Sequence, residues 1–367
     1  MGVEGLVADE LKFGGFHDVR AENGRVFFSA GLSDIARANV WLRCGARVLI
    51  LLDAFEAPTF DALFEGVKAL PLGGLIGPED AFPVKGHTLK SALQSVPACQ
   101  SIVKKAAVES LRAHHGVFEL PETGARRQLQ FIIQNDRAEI YLDTTGFSLY
   151  RRGYKLEQNE ASLRETLAAA MVKLARYRGR EPFIDPMCGS GTLVIEAAMA
   201  ALGLAPGMNR DFDAEAWGES WHSAFAIAKA EARARADAKL AEQGGRPLPI
   251  TGRDIDPASV ALAQANAKRA GLDGLIDIAV GDACQLDYPA RGVLLCNPPY
   301  GKRLLDIDAA RELCRQWGRA LTKMGGLKKY IISSDEDFER HFGQQANKKR
   351  KLYNGMIKCN LYMYTDK

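Results

Sequence analysis

The sequence predicts an α/β protein with a doubly wound parallel sheet in its C-terminal part and a mixed α+β arrangement ahead of it. After residue 155, short apolar strands alternate with helices, which is the order that βαβ units require. Before residue 155, short β-like segments are interleaved with helical ones, and Asn135-Asp136-Arg137 separates two of them as a hairpin turn would. A length of 367 residues agrees with two or three domains.

The N-terminal part reads as small α+β units rather than as part of the parallel sheet. Its strands are expected over residues 25–29, 47–52, 128–133 and 138–143. Its helices are expected over residues 34–43, 60–69 and 100–114.

The C-terminal part supplies the strands and helices of the predicted parallel sheet. Its strands are expected over residues 182–185, 248–254, 276–280 and 292–296. Its helices are expected over residues 162–177, 192–202, 228–240 and 257–271, with an insertion over residues 203–221. Ser162 to Glu165 has a capping-box pattern, and Asp256 precedes Pro257 as an N-cap residue precedes proline at the first helical position.

Composition excludes several classes of protein and site. Seven scattered cysteines without a C-x-x-C pair predict reduced thiols, and six histidines without an H-x-x-x-H pair give no metal site, so no metal is predicted. The N-terminal residues lack the pattern of a signal peptide, and apolar runs such as 48–52 are far shorter than a membrane span. A soluble, cytoplasmic protein is therefore expected.

Net charge leaves the partner open, because 48 basic and 45 acidic residues give only +3. The distribution is uneven, since residues 85–112 alone carry a net charge of +4. A second basic cluster, residues 348–351, precedes an apolar stretch over 352–364 that reads as a closing strand hairpin of the sheet. Such clusters suit phosphate contacts, although the solvated face of a helix explains the first one as well.

Residues 182–193, PFIDPMCGSGTL, combine a strand, a glycine turn and the start of a helix. Val194 stands where a dinucleotide fingerprint has its third glycine, and no phosphate-binding G-x-x-x-x-G-K motif is present, which disfavours NAD and ATP. Asp185 with Gly189 and Gly191 instead resembles motif I of methyltransferases that use S-adenosylmethionine.

Acidic residues end three successive strands, at the edge where such sheets bind ligands. Asp254 is the predicted ribose ligand, whereas Asp256 is expected to cap the next helix. Asp282 is expected to accept a hydrogen bond from the adenine amine, with the Ala283 backbone alongside the ring. The predicted cofactor-binding residues are Asp185, Cys188, Gly189, Gly191, Thr192, Asp254, Ile255, Asp282, Ala283 and Asn297.

The buried strand over 293–296 leads into Asn297-Pro298-Pro299-Tyr300, which resembles the (N/D/S)-P-P-(Y/F/W) motif of methyltransferases acting on planar exocyclic amines. The amine is a poor nucleophile because its lone pair is delocalised. Hydrogen bonds to Asn297 and to the Pro298 carbonyl would orient that lone pair, and Tyr300 would stack on the base. These are the predicted catalytic residues. A rigid strand-ending turn is the alternative interpretation, and Cys296 reads as a core thiol rather than a nucleophile.

The whole chain resembles the THUMP-domain rRNA guanine-N2 methyltransferases, related to the enzyme that makes N2-methylguanosine in 23S rRNA. The matching stretches are ENGRV at 22–26, ARAN at 36–39, SVPACQSIVKK at 95–105, RRGY at 151–154, residues 185–193, NPPYG at 297–301 and KLYNG at 351–355. The resemblance implies a ferredoxin-like domain over 1–53, an RNA-binding THUMP domain over 54–155 and a Rossmann-like methyltransferase domain over 156–367.

The resemblance also implies S-adenosylmethionine as cofactor and either 23S rRNA or a large-subunit assembly particle as partner. The basic residues expected to contact RNA are Lys90, Lys104, Lys105, Arg151, Arg152, Lys348 and Lys349. Methyl transfer to guanine N2 is the leading expectation. Two alternatives stay open at this point, namely N6-adenine methylation of RNA and a non-catalytic RNA-binding assembly factor.

Overall fold

The computed structural model describes residues 2–155, 163–299, 307–322 and 324–365. Within these residues the strands form three sheets of two, four and seven strands. The smallest sheet lies at the N-terminus, where helix α1 (Glu4–Phe13) precedes the antiparallel strands β1 (His17–Glu22) and β2 (Arg25–Ser29), and helix α2 (Leu32–Trp41) follows.

The four-stranded sheet is mixed and has the order β3-β6-β5-β4. Its strands are β3 (Leu49–Glu56), β4 (Val84–Leu89), β5 (Leu129–Gln134) and β6 (Arg137–Asp143). Helix α3 (Phe60–Lys68) lies between β3 and β4 in the sequence, and helix α4 (Val96–His115) lies between β4 and β5. The predicted hairpin is confirmed, because β5 and β6 are antiparallel and their turn residues Asn135 and Asp136 have φ of 51° and 62°. Strand β3 lies across the domain boundary expected at residues 53 and 54, so we propose a boundary ahead of β3.

The seven-stranded sheet contains the predicted βαβ units. Its strands are β7 (Phe183–Asp185), β8 (Ile250–Asp254), β9 (Asp277–Val280), β10 (Gly292–Cys296), β11 (Leu327–Ser333), β12 (Lys348–Asn354) and β13 (Ile357–Tyr364). The helices of this part are α5 (Glu165–Leu174), α6 (Thr192–Ala201), α7 (Glu219–Gln243), α8 (Pro257–Arg269), α9 (Ile307–Leu321) and α10 (Phe338–Phe342). In the order β12-β13-β11-β10-β7-β8-β9, the strands from β11 to β9 are parallel, which confirms the predicted α/β class.

The ends of several elements differ from the sequence-based expectation. Helix α5 begins at Glu165 with Arg164 as its N-cap and no capping side chain, and Ser162 of the expected capping box lies outside the described residues. The cluster over 348–351 is the first half of β12 rather than a segment ahead of the hairpin.

Helix α7 is much longer than the predicted helix over 228–240. It buries Phe225 and, once per turn, Ala224, Ala228, Ala232 and Ala236. The first three of these alanines belong to the same apolar core as the N-terminal elements. Small side chains allow close approach, so α7 packs its alanine face against α2. Within the described part of the chain, no helix combines the length and the apolar character that a membrane span needs.

Candidate active site

The order of the parallel strands reverses at β7, which pairs with β8 on one side and with β10 on the other. Residue Ile184 of β7 is in register with Leu294 of β10, and Asp185 is in register with Gly252 of β8. The carboxyl ends of these strands therefore meet at a topological switch point, the place where open α/β sheets bind ligands. The predicted cofactor and catalytic residues follow these strand ends.

The glycine turn after β7 leads directly into the N-terminus of α6. Gly189 and Gly191 have φ of 49° and 81°, in the left-handed region that favours glycine. A Cβ at Gly191 would lie 3.0 Å from the Cβ of Ala263 on α8, so the close packing of turn and helix also requires glycine there. Thr192 is the first residue of α6, and no side chain caps that helix. Its first N–H groups can therefore bind an anionic or polar ligand.

Asp254 at the end of β8 holds this turn in place. Its Oδ2 accepts a 2.8 Å hydrogen bond from the backbone N–H of Gly189, and its Oδ1 accepts one of 3.1 Å from that of Asp256. Each carboxylate oxygen keeps a further lone pair, which can accept from ligand hydroxyls. Asp256 has the predicted structural role, because its side chain caps α8 through the N–H groups of Ala258 and Ser259.

Two apolar side chains are exposed beside Asp254. Ile255 is 70% exposed, and Val280, in register with Asp254 on the neighbouring strand β9, is 54% exposed. Exposed aliphatic side chains at adjacent strand ends can cover the faces of a planar ring. The sequence predicts Ile255 as a cofactor-binding residue but not Val280, although Val280 stands directly before Gly281-Asp282.

Asp185 lies beneath the turn rather than facing solvent. Its side chain is buried, its Oδ1 accepts a 3.3 Å hydrogen bond from the N–H of Met187, and the thiol of Cys296 donates to it. Burial raises the pKa of Asp185 to about 8, and the charge of Asp254 acts in the same direction. The described contacts of Asp185 therefore shape the turn, and direct cofactor contact stays a prediction.

The loop after β9 positions Asp282 and Ala283. Asp282 accepts a 2.9 Å hydrogen bond from the N–H of Cys284 and one of 2.8 Å from the amide of Gln285. The carbonyl of Ala283 accepts from the hydroxyl of Tyr288 at 2.7 Å, and this hydroxyl accepts from the indole N–H of Trp317 at 2.8 Å. This buried chain of hydrogen bonds fixes the loop that the sequence assigns to adenine binding.

Asn297 follows β10, whose five residues are all buried. Its Oδ1 is buried and accepts no hydrogen bond from the described residues. A buried acceptor without a donor is unfavourable by about 1–3 kcal/mol, so this oxygen is suited to a donor that arrives with a ligand. Pro298 is buried next to it, whereas Tyr300 lies outside the described residues.

Two cysteines near the turn are unsuited to nucleophilic chemistry. Cys296 is completely buried, and burial raises the pKa of its thiol well above the ordinary value. Burial likewise raises the pKa of Cys188, which lies in the glycine turn. A thiol that stays protonated is a weak nucleophile, in agreement with the predicted core role of Cys296. The described residues also contain no cluster of three side chains that could hold a metal ion.

The predicted RNA-binding residues fall into two groups. Lys90, Lys105, Arg151, Lys348 and Lys349 are exposed, although Lys349 pairs with Glu339. Lys104 is half-buried, pairs with Glu122 and lies 3.3 Å from the ring centroid of Phe82, so its ammonium is engaged within the protein.

The assignment of Arg152 to the RNA surface is wrong. Its side chain is 2% exposed and pairs with the completely buried Glu196 at 3.3 Å. It also donates to the carbonyls of Leu149 and Arg43, at 2.8 and 2.5 Å. An isolated buried charge is very unfavourable, and Arg152 therefore serves to neutralise Glu196 and to join the segment after β6 to α6.

Two family models match the chain. Residues 152–363 match the RMKL-like methyltransferase domain, and residues 1–49 match the RlmL ferredoxin-like domain.

Curated relatives match the full length of the chain. It is 40% identical over 373 residues to the candidate RNA methyltransferase YpsC of Bacillus subtilis, covering 100% of this chain and 94% of YpsC. It is 32% identical over 372 residues to the ribosomal RNA large subunit methyltransferase K/L of Aliivibrio fischeri, covering 98% of this chain and 51% of that protein. The chain thus spans about half the length of its K/L relatives.

Solved structures of similar proteins also match the full length of the chain. A Listeria monocytogenes protein described as a predicted N6-adenine-specific DNA methylase is 41% identical, with a TM-score of 0.90 over 100% of this chain and 94% of that one. The methyltransferase candidate SMU.472, solved with S-adenosylhomocysteine, is 38% identical, with a TM-score of 0.89 over 100% of this chain and 96% of that one.

Proposed function

Because the chain belongs to the RMKL-like methyltransferase family, we propose that it transfers a methyl group to the exocyclic N2 amine of a guanine in 23S rRNA. The cofactor is S-adenosylmethionine.

The residues at the switch point fit this cofactor. The free N–H groups at the start of α6 suit its carboxylate, the remaining lone pairs of Asp254 suit its ribose hydroxyls, and Ile255 and Val280 suit the faces of its adenine. When bound, S-adenosylmethionine supplies a methyl group on a positively charged sulfur. Asp282, in the loop that buried hydrogen bonds fix, would accept a hydrogen bond from the adenine amine, as the sequence predicts.

The unpartnered Oδ1 of Asn297 is the observation that carries the proposal for the acceptor. An exocyclic amine has two N–H donors, and an Asn297 oxygen together with the Pro298 carbonyl would hold both. In that orientation the nitrogen lone pair is directed out of the ring plane, where it can attack the methyl carbon. Transfer would form the N–C bond as the methyl–sulfur bond breaks, leaving S-adenosylhomocysteine, and the methylated amine would release one proton to solvent. The two oxygens also stabilise the positive charge that develops on nitrogen, so positioning and electrostatics are sufficient.

The rRNA target is supported by the K/L relatives, whose names specify the large ribosomal subunit. Exposed basic residues such as Lys90, Lys105 and Arg151 would contact phosphates and position the RNA without reading its sequence. Access of a base to Asn297 then requires a single-stranded or flipped nucleotide. An rRNA substrate would also place the protein in the cytoplasm.

N6-adenine methylation is the second candidate, since the Listeria relative is described as a predicted N6-adenine-specific DNA methylase. Both amines are planar and exocyclic, so Asn297 and Pro298 do not discriminate between them.

Mass spectrometry of rRNA from cells that lack the gene tests the proposal. Complete digestion to nucleosides identifies the methylated base, and nuclease digestion to oligonucleotides locates it in the rRNA. Deletion should remove N2-methylguanosine at one position of 23S rRNA, and wild-type protein should restore it while the Asn297→Ala variant should not. Loss of N6-methyladenosine instead would favour the second candidate. Unchanged rRNA modification would contradict both.

A further inference from the structure

A cavity of about 140 Å³ opens beside the strand-ending prolines. It is bounded by Pro299, by the first turns of α9, by the end of β11 and by the start of α10. Its volume is several times the roughly 30 Å³ that a water molecule occupies in the liquid. Since Pro299 is two residues from Asn297, the cavity lies next to the proposed amine-binding residue.

Two oppositely charged side chains face each other in this cavity. The Nε of Arg311 on α9 lies 4.0 Å from the Oδ2 of Asp335, which is too far for a hydrogen bond. This Nε is buried and has no hydrogen-bond partner among the described residues. The guanidinium also forms a 3.7 Å ion pair with the exposed Asp308. Arg311 therefore keeps donors that a ligand could use.

Asp335 also keeps acceptor positions, although both of its carboxylate oxygens already have a partner. Its Oδ2 lies 2.8 Å from Nδ1 of the buried His341, and its Oδ1 accepts a 3.0 Å hydrogen bond from the N–H of Asp337. These contacts fix the carboxylate but use only one lone pair of each oxygen. A rigid acceptor and an unpaired donor thus lie side by side, and a further buried acceptor follows at Asn297.

We propose that Arg311 and Asp335 recognise the guanine base, with Arg311 donating to O6 and Asp335 accepting from N1–H. This inference deepens the proposed function and rests on it. The Watson–Crick edge of guanine presents one acceptor followed by two donors, and the cavity offers the complementary donor and acceptors. The side-chain oxygen of Asn297 and the carbonyl of Pro298 would then accept hydrogen bonds from the N2 amine.

The same pair disfavours adenine. With the adenine amine at Asn297, the lone pair of adenine N1 would face the Asp335 carboxylate, and Arg311 would face a carbon-bound hydrogen. Sites that hydrogen-bond their substrate discriminate strongly, because the wrong base leaves their polar groups unpaired. Arg311 and Asp335 thereby supply the choice of base that Asn297 and Pro298 do not.

The test uses two RNA transcripts that differ at the guanosine mapped by the experiment above. One carries guanosine and the other 2-aminopurine riboside, which keeps the 2-amine but lacks O6 and N1–H. The wild-type kcat/KM should be at least a hundredfold higher for guanosine. In Arg311→Met and in Asp335→Asn, kcat/KM should fall at least tenfold for the guanosine transcript and little for the 2-aminopurine transcript. The ratio of the two kcat/KM values should therefore decrease.

Arg315→Met is the matched control, because Arg315 lies one turn further along α9, is exposed and pairs with Glu312. It should leave both rates unchanged. Calorimetric binding of S-adenosylhomocysteine checks that each variant is folded. If Asp335→Asn does not fold, Arg311→Met alone tests the inference. Equal losses on both transcripts, or unchanged guanosine activity, would overturn the inference. A wild-type protein inactive on the guanosine transcript would instead overturn the proposed function and the inference with it.

Discussion

The backbone N–H of Gly189 donates a 2.8 Å hydrogen bond to Oδ2 of Asp254, and this bond joins the glycine turn after β7 to the end of β8. The same carboxylate accepts from the N–H of Asp256, so both of its oxygens are fixed by backbone. Asp254 therefore arranges the turn before any ligand binds, and its remaining lone pairs are held in a defined direction. Such preorganisation reduces the entropy lost on binding.

Replacing Asp254 with alanine should weaken cofactor binding strongly. Hydrogen bonds to a charged group contribute about 1.5–3 kcal/mol each, so the affinity for S-adenosylhomocysteine should fall about 10- to 100-fold in calorimetric titration. Asp256→Ala is the control, because this neighbour only caps α8. It should lower Tm and leave affinity unchanged, and an equal loss of affinity in both variants would contradict the assignment.

Asp185 should make stability depend on pH. Its pKa rises from the ordinary value near 3.8 to about 8, so the folded chain holds the proton more tightly than the unfolded chain. The resulting stabilisation is complete below pH 3.8 and is lost as pH rises through 8. Asp185→Asn keeps an acceptor for Met187 and does not titrate. In urea titrations, the unfolding free energy of this variant minus that of the wild type should therefore increase as the pH rises from 5 to 8. A difference that is independent of pH would contradict the shifted pKa.

The two adjacent lysines of α4 should behave differently. Lys105 is exposed, so Lys105→Gln should weaken binding to a 23S rRNA transcript and reduce the slope of log K against log salt by about 1. Lys104 pairs with Glu122, so Lys104→Gln should lower the unfolding midpoint and leave RNA affinity unchanged. The reverse pattern in filter-binding and urea experiments would assign the RNA contact to Lys104.

Arg152 should contribute to stability rather than to RNA binding. Removing one partner of a buried ion pair is destabilising by about 3–5 kcal/mol, and Arg152→Met removes the ion-pair partner of the buried Glu196. Adding Glu196→Gln should recover part of this loss in urea unfolding. If the Arg152→Met protein had normal stability and bound RNA weakly, Arg152 would instead be assigned to the RNA-binding surface.

Features that depend on a few consecutive residues were predictable from sequence. Asp256 caps α8 and Asn135-Asp136 form the hairpin turn, because backbone geometry at each place depends on local residue types. The parallel sheet followed from alternating elements, and so did the meeting of Asp185, Asp254 and Asp282 at one edge.

Features that depend on distant partners were not predictable. Lys104 meets Glu122 across 18 residues and Arg152 meets Glu196 across 44, so neither basic residue could be separated from a solvated cation by its local sequence. Arg311 was not predicted either. Helix α9 is not among the helices expected from the sequence, and charged residues spaced along such a segment are typical of an exposed helix face. Only the fold brings Arg311 next to Asp335 and the strand-ending prolines.

The central claim is methyl transfer to guanine N2, and one labelling measurement tests it most directly. Purified protein is incubated with unmodified 23S rRNA and S-adenosylmethionine carrying a trideuterated methyl group, and the digested nucleosides are analysed by mass spectrometry. We predict trideuterated N2-methylguanosine with the wild-type protein and none with Asn297→Ala, although that variant still binds S-adenosylhomocysteine. Label in N6-methyladenosine, or label that persists in Asn297→Ala, would contradict the account.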